Sequence, residues 1–286
     1  MKQEYVFDWK RMDPEAKLGI PAKRFTGVNS IWTFFLGMVF SVIFYAALYP
    51  FWQMKSLQFI NMFFPGGPEN RSWIPICTVF LTMWCLAFLL VKLRKIEIQR
   101  KVLSLEILPN TPGFILSPDN SAIVQSRMDE QVYLAGGFIA LNRIQKTLSN
   151  LKNIGRVSDV SSVLNDLALA DEKYLEGTYT LPKGLIWAIP VTGFIGTVLG
   201  LSEAVGGFGK VITGGAELDQ LKQSLGGVTS GLAVAFETTL IALVAALFLQ
   251  LLMTLIMQKE ESLMDECATY CYRNIVSKLK MIDMER

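Results

Sequence analysis

The stretch AFETTLIALVAALF, residues 235 to 248, decides the fold. It lies in an apolar run from Gly226 to Met257, longer than the roughly 20 residues a helix needs to cross a bilayer. Yet Glu237, Thr238 and Thr239 follow one another inside it. A carboxylate in hydrocarbon is costly and faces a cavity, a partner or the bundle interior. At about 100° per residue, Thr239 and Glu237 point about 160° apart, with Thr238 between them. One polar face therefore cannot hold both. If Thr239 faces a pore, Glu237 faces a neighbouring helix or subunit, protonated or hydrogen-bonded to groups such as Ser41, Thr78 or Thr82. Glu203, near the outer end of the preceding run, is more easily solvated.

Three further runs precede this one. IWTFFLGMVFSVIFYAALYPFW, residues 31 to 52, is uncharged, with aromatic residues toward its ends. WIPICTVFLTMWCLAFLLV, residues 73 to 91, stops at the basic cluster Lys92, Arg94, Lys95, Arg100 and Lys101. The third, GLIWAIPVTGFIGTVLGLS and the residues after it, spans 184 to 205. The first run follows 30 polar residues and is too long for the core of a signal peptide. Lys and Arg number six in residues 1–30, two in 53–72, twelve in 92–183, two in 203–225 and five in the C-terminal segment. That alternation predicts cytoplasmic termini and a cytoplasmic middle segment.

The expected fold class is an all-α integral membrane protein. Its parts are an N-terminal cytoplasmic tail (1–30), a transmembrane hairpin (31–91), a helical cytoplasmic domain (92–183), a second hairpin (184–258, with spans 184–205 and 226–257) and a C-terminal cytoplasmic helix (259–286). In the middle segment KLRKIEIQRKVLSLEIL reads as a helix leaving the second span, and EILPNTPGFILSPDNS breaks it. From Ser121 to Glu176, Val132, Leu134, Ile139, Leu141, Ile144, Leu148 and Leu151 recur at helical spacing. Asp119 or Ser121 is the expected cap, and Gly136-Gly137 and Gly155 are expected interruptions. Two or three helices are expected there and no strand.

Composition excludes several functions. The chain is 51% hydrophobic and 18% charged, with net charge +2, so bulk charge supports no nucleic-acid binding. Histidine is absent, which removes the commonest metal ligand and near-neutral base. Cys77, Cys85, Cys267 and Cys271 do not form a disulfide framework and read as free thiols. Neither a metal nor a cofactor is implied. There is no nucleotide loop, nucleophile elbow or other catalytic constellation, so no enzyme class is supported.

The last two runs differ from the bulky first pair. Thr192, Gly196, Gly200 and Ala204 recur every four residues, as do Gly193 and Thr197. In the fourth run Gly227, Gly231, Ala235 and Thr239 form one row, with Ser230, Thr238, Ala242 and Ala246 beside it. Small residues at this spacing let helix backbones approach closely in lipid.

WAIPVTGFIGTVLGLSEAV followed by LGGVTSGLAVAFETTLIALVAALF resembles the MotA/TolQ/ExbB proton-channel family over about residues 181 to 260. The pattern G-x-x-G-T-V-x-G at Gly193, Gly196, Thr197, Val198 and Gly200 and the A-F-x-T-T-L pattern at Ala235 to Leu240 carry the resemblance. It implies a homopentamer around two copies of a single-span partner of the MotB/ExbD/TolR kind, whose Asp takes the proton. It also implies hydroxyls at Thr197 and Thr239 near that Asp, with Thr238, Gly193, Gly196 and Gly200 along the same path. Its setting would be the bacterial inner membrane, its output mechanical work, and its cytoplasmic helices would meet an effector. Four spans with a cytoplasmic N-terminus match the MotA layout. The glutamate of the ExbB branch falls at Val234, so Glu237 does not inherit its role. No MotA-like charged rotor motif stands in 95–180. The competing reading is a membrane scaffold in which the small-residue faces only pack helices. A solute transporter is disfavoured because the two hairpins do not resemble each other.

Overall fold

A computed structural model describes residues 5–53, 58–64, 73–108, 114–118, 120–151, 157–213 and 218–279. Four of its helices are long and apolar enough to cross a membrane. They are α3 (Ser30–Gln53), α5 (Ile74–Val102), α9 (Thr180–Thr213) and α10 (Leu218–Asn274), with the short α4 (Gln58–Asn61) between the first two. The chain divides into two compact units. One holds residues 33–89 and 181–254; the other holds 1–32, 90–180 and 255–286.

In the apolar unit, α3 and α5 meet through a small residue that the sequence had hidden among bulky ones. A Cβ on Gly37 would lie 2.5 Å from the Trp84 Cα, so only glycine admits this approach. The Trp84 indole donates to the Thr33 hydroxyl at 3.3 Å. Phe34 packs edge-on against Phe80 and Trp84, geometry that favours ring edges on ring faces.

The other unit begins with residues that the sequence suggested were a tail. They are instead folded: β1 (Phe7–Asp8), α1 (Trp9–Met12) and α2 (Pro14–Lys17) come in succession, and Trp9, Phe25 and Val28 are buried. Asp8 and Asp13 cap the two short helices through their carboxylates. β1 pairs in parallel with β2 (Val132–Tyr133), Phe7 opposite Val132. The expectation of no strand therefore fails at one two-residue pair. Such a pair leaves no periodic trace in the sequence, because its partners are distant in the chain.

The helix leaving the second span ends at Val102, short of the predicted stretch to Leu108. Helices α6 (Ser121–Gln131), α7 (Ile139–Asn150) and α8 (Val157–Gly177) then follow. Asn120, not Ser121, occupies the cap position before α6, but its side chain does not bond the helix; it holds the preceding turn, accepting from Ser117 N and donating to Ile115 O. Asp119 and Gly155 lie outside the described residues. Gly136-Gly137 does interrupt, as part of a 3-10 turn over Ala135–Gly137. Leu134, placed by spacing on the inner face, takes a left-handed conformation (φ 57°) and is 52% exposed. Helix α7 buries Ile139, Leu141, Ile144 and Leu148. Arg143 is buried beside them, its Nε donating to Asp171 Oδ2 at 2.9 Å. The C-terminal helix expected over 259–286 is the continuation of α10 to Asn274, followed by a 3-10 turn. All four cysteines are free thiols.

Candidate functional site

The site lies where α9 and α10 touch, and glycine makes the contact. A Cβ on Gly193 would sit 2.5 Å from the Ala242 Cβ and 3.2 Å from the Thr239 Cα. One on Gly196 would meet the Thr238 hydroxyl at 2.6 Å, and one on Gly200 the Ala235 Cβ at 2.9 Å. Gly231 answers from the other helix, 3.0 Å from the Ala204 Cβ by the same construction. The small-residue rows read from the sequence thus interlock as one seam, in which van der Waals contact replaces side-chain bulk. The sequence proposed Gly193, Gly196 and Gly200 along a path; in this chain they occupy the helix contact itself.

The close approach brings two hydroxyls together. Thr197 Oγ1 and Thr239 Oγ1 form a short hydrogen bond across the seam. Thr239 also donates to Gly193 O at 2.9 Å, and Thr197 reaches Ala235 O at 3.2 Å and Gly193 O at 3.3 Å. With one proton per hydroxyl, these contacts are alternatives between which the pair can switch. Both threonines are half-buried. Thr238 differs: it is 4% exposed, donates to Ala235 O at 2.8 Å and packs on Gly196. One 100° step of rotation separates a hydroxyl on the cross-helix pair from one consumed by its own helix.

Glu237 is half-buried, one step further round α10 from Thr238, and Glu203 is exposed. The hydroxyls suggested as partners for Glu237 each donate to their own helix one turn back: Ser41 to Gly37 O, Thr78 to Ile74 O and Thr82 to Thr78 O. Large apolar side chains of both helices remain exposed on the outer faces, among them Phe194, Val198, Leu240, Val244 and Leu247. Among the described residues no cluster of three or more Cys, Asp or Glu has metal-binding spacing.

Sequence reasoning missed Ala235 and Ala242 as the counterparts of Gly200 and Gly193. The signal was present in the rows, but pairing two rows requires the offset between helices.

A model of the MotA/TolQ/ExbB proton channel family matches residues 139–269. No curated protein and no solved structure matches the chain. The family match takes in α7, α8, α9 and α10 as far as Thr269, and so begins well before residue 181, where the resemblance in the sequence became legible. Just under half of this chain, which carries four helices long and apolar enough to cross a membrane, is thus similar to the MotA/TolQ/ExbB proton channel family.

Proposed function

We propose that the chain is the channel subunit of an ion-driven membrane motor, conducting protons. Five copies surround two copies of a single-span partner that brings a carboxylate to Thr197 and Thr239. The setting is the bacterial inner membrane, with both termini in the cytoplasm. The observation that carries this reading is the Thr197–Thr239 pair, held across a glycine seam between α9 and α10. Two neutral hydroxyls can pass a hydrogen bond along but cannot hold a proton at neutral pH. A selective proton path at this site therefore needs an acid from outside the pair, and the apolar unit offers no histidine to supply one. The uncovered apolar faces of α9 and α10 suit neighbouring copies of the chain packed in a ring.

The glycines serve this path by letting the threonines approach. Glu237, off the pair's face, acts in contact with a neighbouring helix or subunit and is not the proton carrier.

The test replaces each hydroxyl with a methyl of similar shape. Thr197→Val and Thr239→Val are expected to leave oligomeric size in mild detergent unchanged and to lower proton uptake by membrane vesicles about tenfold or more. Wild-type uptake in both variants would remove the pair from the ion path.

One observation favours a second reading, a scaffold without conduction. Both hydroxyls find carbonyl partners at Gly193 and Ala235 within a single chain, which suits helix packing alone. Under that reading the same substitutions shift stability and no ion-dependent activity changes.

A further inference from the structure

Outside the apolar unit lies a buried set of charges that the ion path does not use. Lys92 and Lys95, one turn apart on α5, stood in the sequence as part of the basic flank of the second span. Both side chains are 0% exposed. Lys92 Nζ lies 3.0 Å from Glu260 Oε1 on α10 and donates to the Thr178 hydroxyl at 2.6 Å, just ahead of α9. It also sits 4.2 Å above the Tyr179 ring. Glu260 Oε1 accepts a short hydrogen bond from the Thr26 hydroxyl. Lys95 Nζ lies 2.7 Å from Glu15 Oε2 and 3.2 Å from Asp13 Oδ2, and donates to Gly27 O at 2.8 Å. The other Glu15 oxygen accepts from Asn29 N at 2.7 Å, just ahead of α3. Two ammonium groups on α5 therefore tie together the start of α3, the start of α9 and the distal part of α10.

Burying these charges is a poor route to stability alone, because well-packed apolar residues in their place are often neutral or better. Their distinguishing property is directional. An apolar contact tolerates sliding along a helix, whereas a buried ammonium meets its carboxylate at only one axial and rotational position. The helices so indexed, α9 and α10, are those that bear Thr197 and Thr239.

We infer that Lys92 and Glu260, supported by Lys95 and Glu15, are positioning residues that set the register of α9 and α10 against α5 for ion passage. This inference rests on the channel reading above. N-terminal residues 13–29 become, on this view, a working part of the channel subunit.

The test uses the full chain expressed together with its flanking genes, with proton uptake measured in inverted membrane vesicles. The neutral pair Lys92→Met with Glu260→Leu is expected to assemble as the wild type while uptake falls about tenfold or more, since small misplacements far from a reacting group can have effects of that order. The exchanged pair, Lys92→Glu with Glu260→Lys, is expected to recover most of the uptake. A neutral pair that conducts like the wild type overturns the inference, because packing would then suffice. If the neutral pair does not assemble, the exchanged pair decides: recovery supports the inference, and assembly without uptake overturns it. Thr197→Val in the same vesicles separates the two readings. If it and Thr239→Val both conduct normally, the ion-path reading fails; if they do not conduct but the neutral pair does, only the register role fails.

Discussion

Gly193→Ala tests the seam at its tightest point. The added methyl would lie 2.5 Å from the Ala242 Cβ, about 0.9 Å inside the 3.4 Å at which ordinary contacts begin. The neighbours at 3.2 Å and 3.3 Å, Thr239 Cα and Thr238 O, are backbone atoms and cannot rotate away. Either α9 and α10 separate by most of an ångström, or one slides along the other. Both movements stretch the 2.9 Å bond from Thr239 to Gly193 O and part the two hydroxyls. Overpacking of this kind costs about 1–3 kcal/mol. Removing the obstructing methyl with Ala242→Gly leaves only the milder contacts, so the double variant should recover most of the loss, a coupling of about 1 kcal/mol or more. Unfolding in mixed micelles titrated with SDS measures all four corners of the cycle. Additive effects of the two changes, or a Gly193→Ala protein as stable as the wild type, would refute the seam geometry.

Lys95→Met leaves Asp13 and Glu15 buried without their cation and is expected to destabilise by about 3–5 kcal/mol in the same titration. Adding Asp13→Asn and Glu15→Gln should return part of that loss. Gly137→Ala drives a methyl to 2.7 Å from the Trp9 ring; it should loosen the N-terminal segment and speed proteolysis near Leu18 and Gly19, which are exposed. Burial pushes the Cys267 and Cys271 thiols up from 9.0 to about 12. Both should resist alkylation at pH 8 in the folded protein and react on unfolding. Because the folded values lie above the unfolded ones, their contribution to stability is full below pH 9 and is lost as pH rises from there toward 12. A rate of labelling equal to that of the denatured chain would refute the burial.

The four spans were legible because hydrocarbon thickness and helical period are local demands. The runs at 31–52, 184–205 and 226–257 fall within long helices, and 73–91 does so from Ile74 onward; α5, α9 and α10 all continue past the C-terminal ends of their runs. The glycine rows of the third and fourth spans were legible for the same reason. Gly37 was not: it sits alone among bulky residues, and its need appears only when the Trp84 backbone is opposite. Lys92 and Lys95 read as a topology signal because a sequence shows charge but not partners. The carboxylates that bury them stand 80 residues or more away in the chain.

Composition and periodicity therefore specify a predominantly helical membrane chain with four apolar helices of spanning length, the face that packs closely, and hydroxyls set within it. They also place Glu237 off the Thr239 face, since that follows from rotation within one helix. Which hydroxyl meets Thr197 is a different matter. Thr238 and Thr239 are adjacent and chemically alike, and only the offset between α9 and α10 puts Thr238 on Gly196 and Thr239 on Thr197. Offset between helices depends on side-chain volumes summed along both of them, so only the folded chain contains it.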